Sequence, residues 1–548
     1  MISRRVLMVG AAMAVVLAAC GEAKKAEAPM APYEVEEKSI SQLAEDLAAK
    51  KTTAVAVTQG YIDRIKMYDG AVHSVIAIAP DALAQAEASD KRRAEGKALG
   101  PLDGIPILLK DNIDAVGMAT TAGSYALEFN VPAKDAPVTK HLRDAGAIIL
   151  GKANLSQFAG WRPAETVLNS STVGGETKNP FDLTRSPGGS SSGGGAATAA
   201  SFAAANIGSD TTGSIIGPAS YNAIVGLRPT IALVSRTGVV PISATMDTTG
   251  PMTRTVRDAA LLLTVMAGSD PLDPATKDAD ANKKDYVAGL STEALKGKRL
   301  GVVRDFGGYT DATKPVFEAA LAVMAAQGAE LVEIPAGSFP DHRVEQLAIM
   351  SYDFREDFAA YMKNAPEAQK VRTVEELIAF NKADPRESSW DSGLIEYAAS
   401  RTTGRADPEY VKMRELVKQR TAVEGFDKVF KEHNVVAVVL PTREVADVMK
   451  PNGEKQPNRI PKENAKAPGS GSSIAALAGY PNLSVPMGMV EGLPVGLSLI
   501  GPAWSEGELL AMGYAYEQAS KMRAVPVAYK ASASAPAGAS AGQGGTQK

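Results

Sequence analysis

The densest chemical signal in the chain is a run of small residues, SPGGSSSGGG, at residues 186–195. A stretch of small, mostly apolar residues follows at 196–205, and a second glycine-containing run, GSDTTGSIIGPA, occupies 208–219. Flexible linkers share this composition, but they do not lead into an apolar helix and then into a buried strand such as 224–227. We therefore expect two glycine-rich turns whose backbone amides converge into an anion-binding nest, with serines beside it as candidate nucleophiles.

A nucleophilic serine needs a base, and histidine held by a carboxylate is the usual one. Residues 189–193 match the spacing of a nucleophile elbow, G-x-S-x-G. Its base would have to be His342 or His433, two of only four histidines in the chain. Both follow charged residues in helical patterns, which are typical of surface positions. The elbow is therefore the weaker interpretation.

The other available base is a neutral lysine. A lysine is charged near pH 7 at its reference pKa of about 10.4, and desolvation lowers that value strongly. A lysine base must therefore be buried. Lys110 meets this requirement because it ends the apolar run 105–109, which predicts a buried strand.

These motifs together resemble the amidase signature family of hydrolases, over residues 40–517. The likeness is carried by LKDN at 109–112, GGSS at 188–191, and GSDT with GSI at 208–215. Further motifs are similar to the peptide amidase branch of that family: GVVPIS, DTTGPM, AGYP, GLPVGL and AWSE, at 238–243, 247–252, 478–481, 492–497 and 503–506. The resemblance implies an α/β fold with a large, mostly parallel or mixed central β-sheet covered by helices on both faces.

The resemblance also implies roles for individual residues. Ser214 would be the nucleophile, Ser190 the bridging serine after a cis peptide bond, and Lys110 the buried base. The two serines lie 24 positions apart, which is the family's spacing. The oxyanion hole would be formed by the backbone amides of Thr211, Thr212, Gly213 and Ser214, and the supporting residues would be Gly189, Ser191 and Asp210.

The implied chemistry is hydrolysis of carboxylic amides through a covalent acyl-enzyme, with no metal and no cofactor. The favoured substrates are peptide C-terminal amides, from which ammonia is released. Two positions depart from the common pattern of the family. Thr212 stands where glycine is usual, and Ile216 stands where many members have arginine. We interpret both as marks of substrate class.

Helical patterns alternate with short apolar runs along the chain, which favours a sheet covered on both faces. The predicted domain spans 33–529, and a helical insertion is expected at 341–433. Strands are predicted at 105–109, 147–150, 300–303, 330–334, 435–440, 482–486 and 495–500. Helices are predicted at 55–68, 138–144, 256–267, 315–327 and 506–517.

The N-terminus has the features of a bacterial lipoprotein signal. Two arginines precede an apolar run of 14 residues, which is shorter than the ~20 residues of a spanning helix. The segment 1–19 ends in LAA before Cys20, as in a lipobox, and a plain secretory signal is the alternative. Residues 20–32 are interpreted as a tether and 530–548 as a disordered tail. We expect an exported protein that faces the periplasm, with the outer membrane favoured and either Sec or Tat export.

Composition excludes several other functions. The net charge of −4 and the lack of a basic stripe give no support to nucleic-acid binding. Cys20 is the only cysteine, and no HExxH pattern occurs, so cysteine and zinc amidases are excluded. The P-loop-like spacing at 146–152 lacks the Ser or Thr that binds Mg²⁺. Four alternatives stay open: a hydrolase of small amides, an esterase, a lipoprotein that binds amides or peptides without cleaving them, and one chain of a tRNA-dependent amidotransferase. The oligomeric state is not predicted.

Overall fold

A computed structural model describes residues 33–162, 169–339, 343–449 and 470–529. The predicted signal segment 1–19, the tether 20–32 and the tail 530–548 lie outside these ranges. None of the described helices has the length and apolar character needed to cross a membrane.

The described strands form one sheet of eleven strands and one small hairpin. Their bounds are β1 Val75–Ile78, β2 Pro106–Lys110, β3 Ile148–Ala153, β4 Ser170–Ser171, β5 Gly175–Glu176, β6 Ala205–Asp210, β7 Val225–Arg228, β8 Thr248–Thr253, β9 Arg299–Val302, β10 Glu330–Glu333, β11 Ala437–Pro441, β12 Asn482–Val490 and β13 Leu493–Ile500. The large sheet has the order β1-β3-β2-β6-β8-β7-β12-β13-β11-β9-β10, and β4 pairs with β5.

The described α-helices cover this sheet and build the region between β10 and β11. Their bounds are α1 Ile40–Ala48, α2 Ala54–Val72, α3 Ala82–Ala94, α4 Pro137–Asp144, α5 Ser192–Ala199, α6 Ile216–Tyr221, α7 Val256–Met266, α8 Ala279–Asn282, α9 Lys314–Ala326, α10 Arg343–Met362, α11 Val374–Ala383, α12 Gly393–Ala399, α13 Pro408–Lys418, α14 Lys428–His433, α15 Gly471–Ala478 and α16 Glu506–Ser520. A π-helical segment, Gln419–Asp427, joins α13 to α14.

Every strand and helix predicted in the sequence is present, with bounds that differ by a few residues. In β2 and β6 all residues are buried. Because successive side chains of a strand point to opposite faces, both faces of the sheet are covered at its centre.

The sheet is mixed, and parallel pairing is the minority. Among the described strands, the pairs β2–β3, β2–β6, β9–β10 and β9–β11 are parallel. The remaining neighbours, including β6–β8 and β12–β13, are antiparallel. Of the two forms expected for the sheet, the structure has the mixed one and not the mostly parallel one. Apolar runs in the sequence predict burial on two faces, but they do not determine strand direction.

Two strands at the serine-rich centre have no counterpart in the sequence prediction. Residues Gly208, Ser209 and Asp210 do not form a glycine turn; they are the last residues of β6. Strand β8, Thr248–Thr253, pairs with β6 over most of its length. Both strands are rich in small and polar residues, so they lack the continuous apolar run that marks the other buried strands.

The region between β10 and β11 has its own apolar cluster. Side chains from α10 to α13, among them Phe354, Phe358 and Leu377, pack with Phe158 and Trp161. The core of the sheet is a separate cluster built around β2, β3 and α7. The helical region therefore lies against the loops that follow β3, close to the serine-rich centre of the chain.

Candidate active site

The run at 186–195 is divided between a turn and a helix. The peptide bond between Gly189 and Ser190 is cis, and α5 begins two residues later, at Ser192. Gly193 to Gly195 therefore lie in the first turns of a helix, where the sequence predicts a glycine turn. A Cβ at Gly193 would lie 2.5 Å from the backbone nitrogen of Asn154. These glycines serve close packing of α5 against its neighbours.

Lys110 lies at the last position of β2, and its side chain is completely buried. Its Nζ donates hydrogen bonds to Ser190 Oγ at 2.7 Å and to the carbonyl oxygen of Ser209 at 3.1 Å. Burial lowers the pKa of Lys110 to about 7, although the negative charges of Asp210 and Asp247 act to raise it. A lysine with this pKa is neutral in a large fraction of molecules near pH 7 and is able to act as a base.

Residues 211–214 form a tight turn at the end of β6, and Asp210 fixes its shape. The Asp210 carboxylate accepts hydrogen bonds from the backbone amides of Gly213 and Ile215, each at 2.7 Å. It also forms a buried ion pair with Arg228 at 2.8 Å. Asp210, named as a supporting residue by the resemblance, thus accepts two backbone hydrogen bonds at this turn.

The turn offers fewer free amides than the resemblance implies. The Gly213 amide is occupied by Asp210, so it is not available to an oxyanion in this arrangement. Among the described residues, no hydrogen-bond partner is found for the amides of Thr211, Thr212 and Ser214. These three amides are the candidates for an oxyanion hole.

Thr212 does not strain the turn. The positive φ lies at Gly213, at +115°, and Thr212 is not among the non-glycine residues with positive φ. A threonine is therefore accommodated at the position where glycine is usual. Ile216, the other departure, is buried in an apolar cluster with Ile215, Ala219 and Met252.

A second carboxylate supports the same turn from the other side. Asp247 accepts a hydrogen bond from Thr211 Oγ1 at 2.6 Å and bonds from the amides of Ile242 and Ser243 at 2.8 and 2.9 Å. Burial raises the pKa of Asp247 above its usual range, while these three bonds oppose the shift. Asp247 therefore accepts two backbone hydrogen bonds beside the turn.

The two predicted serine segments are in direct contact. The backbone amide of Ser191 donates to the carbonyl oxygen of Ser214 at 3.1 Å, and Ser191 Oγ donates to the carbonyl oxygen of Ser209 at 3.1 Å. Ser214 is half-buried. The fold thus brings β2, the cis peptide segment and the 211–214 turn to one place.

The structure does not place the alternative base His433 or the P-loop-like stretch in this site. His433 ends α14, and its carbonyl oxygen accepts a hydrogen bond from Arg299; His342 lies outside the described residues. Lys152, in the P-loop-like stretch, is a buried residue of β3 that forms an ion pair with Asp111 at 3.4 Å. That stretch is a strand and not a phosphate-binding loop.

Sequence reasoning missed three residues around the turn: Arg228, Arg443 and Ser472. Arg228 could have been found by the signal that identified Lys110, a cation directly after a buried apolar run. Arg443 follows β11, and Ser472 lies in the first turn of α15. No local pattern connects them to Gly213, although both lie against it.

The chain is similar to known amidases over most of its length. The family model described as Amidase matches residues 56–510. The native peptide amidase structure from Stenotrophomonas maltophilia is 39% identical, covers 90% of this chain and 99% of its own, and superposes with a TM-score of 0.83. A probable amidase of Arabidopsis thaliana is 34% identical over 90% of this chain and 92% of its own. The structure of an amidase family protein from Bacillus anthracis is 33% identical over 90% of this chain and 92% of its own, with a TM-score of 0.78.

Proposed function

Because the chain belongs to the amidase family, a family of hydrolases acting on amide C–N bonds, we propose that it cleaves the terminal carboxamide of peptides through an acyl-enzyme on Ser214. The observation that carries this proposal is the buried hydrogen bond from Lys110 to Ser190. Burial lowers the pKa of this lysine to about 7. A neutral lysine bonded to a serine hydroxyl is able to act as a base.

In the proposed reaction, neutral Lys110 takes a proton from Ser190 Oγ while Ser190 takes one from Ser214 Oγ. Ser214 Oγ then attacks the carboxamide carbon, and the C–N bond breaks as the relay returns a proton to the departing ammonia. Water attacks the ester by the same route and releases the carboxylic acid. This is covalent catalysis with an activated serine.

The oxyanion formed during attack would be bound by the amides of Thr211, Thr212 and Ser214. Loss of one such donor typically costs about 10²–10³ in rate. Asp210 and Asp247 hold the turn through hydrogen bonds and do not touch the reacting atoms in this proposal. They act as positioning residues.

The peptide amide is favoured by the likeness to peptide amidase over almost the full length of both chains. Ammonia release from acetyl-Ala-Leu-NH₂ tests it, with wild type beside Ser214→Ala and Lys110→Ala. Release by wild type and loss in both variants is expected. Wild-type turnover in Ser214→Ala would contradict the mechanism, and inactivity of the wild type would contradict the substrate. A panel of small amides and esters then separates the remaining hydrolase activities.

We also propose that residues 1–19 direct export and that Cys20 carries a lipid, with the protein facing the periplasm and the outer membrane favoured. The LAAC pattern at 17–20 supports this. Labelling with radioactive palmitate and membrane fractionation test it, with Cys20→Ser as the variant. Label and membrane association should both be lost in Cys20→Ser; if both persist, the proposal is wrong.

A further inference from the structure

Two polar side chains outside the proposed catalytic group lie directly over the 211–214 turn. A Cβ built on Gly213 would lie 3.0 Å from Arg443 Nη2 and 3.0 Å from Ser472 Cβ. A Cβ on Gly217 would lie 3.0 Å from Arg443 Nε. The guanidinium therefore extends along the turn beside Ser214, and both glycines are needed for it to approach so closely.

One polar atom of each side chain has no hydrogen-bond partner within the described part of the chain. Arg443 Nε and Ser472 Oγ are buried and have no partner among the described residues. Ser472 as a whole is only 2% exposed. Other arginines of the described residues, such as Arg162 and Arg254, also have a buried Nε without a partner. Arg443 and Ser472 are set apart by their position against Gly213, beside the candidate nucleophile, where a substrate would have to bind.

The loop around Arg443 is held by bonds that do not use its side chain. The amide of Thr442 donates to the carbonyl oxygen of Gly496 at 2.8 Å, and Thr442 Oγ1 lies 3.0 Å from Ser484 Oγ. On the other side, α15 begins with Ser470 as its N-cap, two residues before Ser472. The guanidinium and the hydroxyl are therefore positioned from two separate elements.

We propose that Arg443 and Ser472 form a subsite for a carboxylate that the substrate carries close to its scissile amide. This deepens the proposed function and rests on it. A guanidinium offers two parallel N–H donors that match a carboxylate, and a hydroxyl adds a third donor. The favoured substrates are accordingly peptide amides whose terminal residue is acidic.

A neutral acceptor would also accept these hydrogen bonds, but it would leave the guanidinium without a negative charge at the turn once substrate displaces water. Glu444 and Asp447 follow on the same loop, and both are exposed. Partial desolvation and the charge of Asp447 raise the pKa of Glu444, while the positive charge of Arg443 lowers it. These exposed carboxylates lie on the loop, whereas a substrate carboxylate would neutralise the guanidinium at the turn itself.

The test compares acetyl-Ala-Glu-NH₂ with acetyl-Ala-Met-NH₂, which is similar in size and neutral. Glutamine is avoided because its side chain could also release ammonia. The kcat/KM ratio of the Glu to the Met peptide should exceed one in the wild type and fall about tenfold or more in Arg443→Met, since a hydrogen bond to a charged group is lost. Ser472→Ala should lower the ratio less. Arg257→Met, which removes an exposed arginine of α7, should keep the wild-type ratio.

Equal loss on both peptides in Arg443→Met would overturn the proposal, because it would indicate a general electrostatic effect at the turn. An unchanged ratio would also overturn it. Arg443→Lys keeps the positive charge but not the two parallel N–H donors, and it should give an intermediate ratio. This variant also controls for a folding defect in Arg443→Met.

A binding measurement separates failure of the subsite from failure of the proposed function. Calorimetric titration of both peptides into Ser214→Ala protein needs no turnover. Tighter binding of the Glu peptide, lost when Arg443→Met is added, supports the subsite even if no peptide is hydrolysed. Equal binding of both peptides, or binding of neither, overturns it.

Discussion

Asp210 and Arg228 form an ion pair of 2.8 Å in which neither side chain is exposed to solvent. The same carboxylate holds the amides of Gly213 and Ile215, and the same guanidinium donates to the carbonyl oxygen of Met246 at 2.6 Å. The pair therefore joins the ends of β6 and β7 to the segment that carries Asp247. The turn beside Ser214 takes its shape from a buried charge pair.

Asp210→Asn should destabilise the protein and reduce its activity. The substitution preserves the size of the side chain but leaves the Arg228 charge buried and unpaired, which costs about 3–5 kcal/mol. Urea unfolding measures the stability, and ammonia release measures kcat. Asp311→Asn, at an exposed position, is the matched control and should change neither. Full stability in Asp210→Asn would mean that the pair does not hold the turn.

Thr211→Val should weaken the turn from the opposite side. It removes the hydroxyl that donates to Asp247 at 2.6 Å and leaves a buried carboxylate with one partner fewer, a loss of about 1–3 kcal/mol. Because the Thr211 amide is a candidate oxyanion donor, kcat should fall more than KM rises. Thr211→Ser retains the hydroxyl and should remain close to wild type. An equal loss in Thr211→Ser, which keeps the hydroxyl, would contradict the role given to the hydrogen bond with Asp247.

Gly213→Ala should abolish most activity with a modest loss of stability. The φ of +115° disfavours any L side chain, and the new Cβ would lie 3.0 Å from Arg443 Nη2. Backbone strain of this kind costs about 1–3 kcal/mol. Gly117 also has a positive φ, of +87°, but a Cβ at this position would meet open space. Gly117→Ala is therefore the control that introduces the backbone strain without the contact. Ammonia release should separate the two variants, whereas their melting temperatures should fall similarly.

The sequence identified Lys110 because a buried apolar run ends in a cation, and this pattern depends on nearest neighbours alone. Ser190 and Ser214 came from motifs of a known family. The order of the strands could not be found in this way. β6 and β8 are strands because they pair with each other, and because β6 also pairs with β2 and β8 with β7. Their own residues, such as Gly208 and Thr249, do not form the apolar run that marks a buried strand.

The same limit applies to Arg443 and Ser472. Both lie far along the chain from Gly213, and only the tertiary packing of the loop after β11 and of α15 brings them to the turn. The occupied amide of Gly213 is likewise a matter of geometry, since it depends on where the Asp210 carboxylate points. Residue types were predictable, but their partners were not.

The activity should rise with pH and level off above neutrality. Only neutral Lys110 accepts a proton, and burial lowers its pKa to about 7. The kcat/KM for acetyl-Ala-Leu-NH₂ should therefore show an inflection near pH 7. Burial and the neighbouring Asp353 also raise the pKa of Asp357 to about 7. Asp357→Asn should keep the inflection, and its disappearance there would assign the inflection to Asp357.

Lys110 should also make stability depend on pH, in a direction that the lowered pKa determines. Between about pH 7 and 10.5 the unfolded chain keeps a proton on this lysine that the folded protein has lost. The unfolded state then binds more protons, so the free energy of unfolding rises with pH across that window, by at most about 1.4 kcal/mol per pH unit. Lys110→Met should flatten this slope relative to wild type, because tyrosines and other lysines titrate alike in both proteins. Parallel stability curves from urea unfolding would mean that Lys110 stays charged in the folded state, which would remove the base from the proposed reaction.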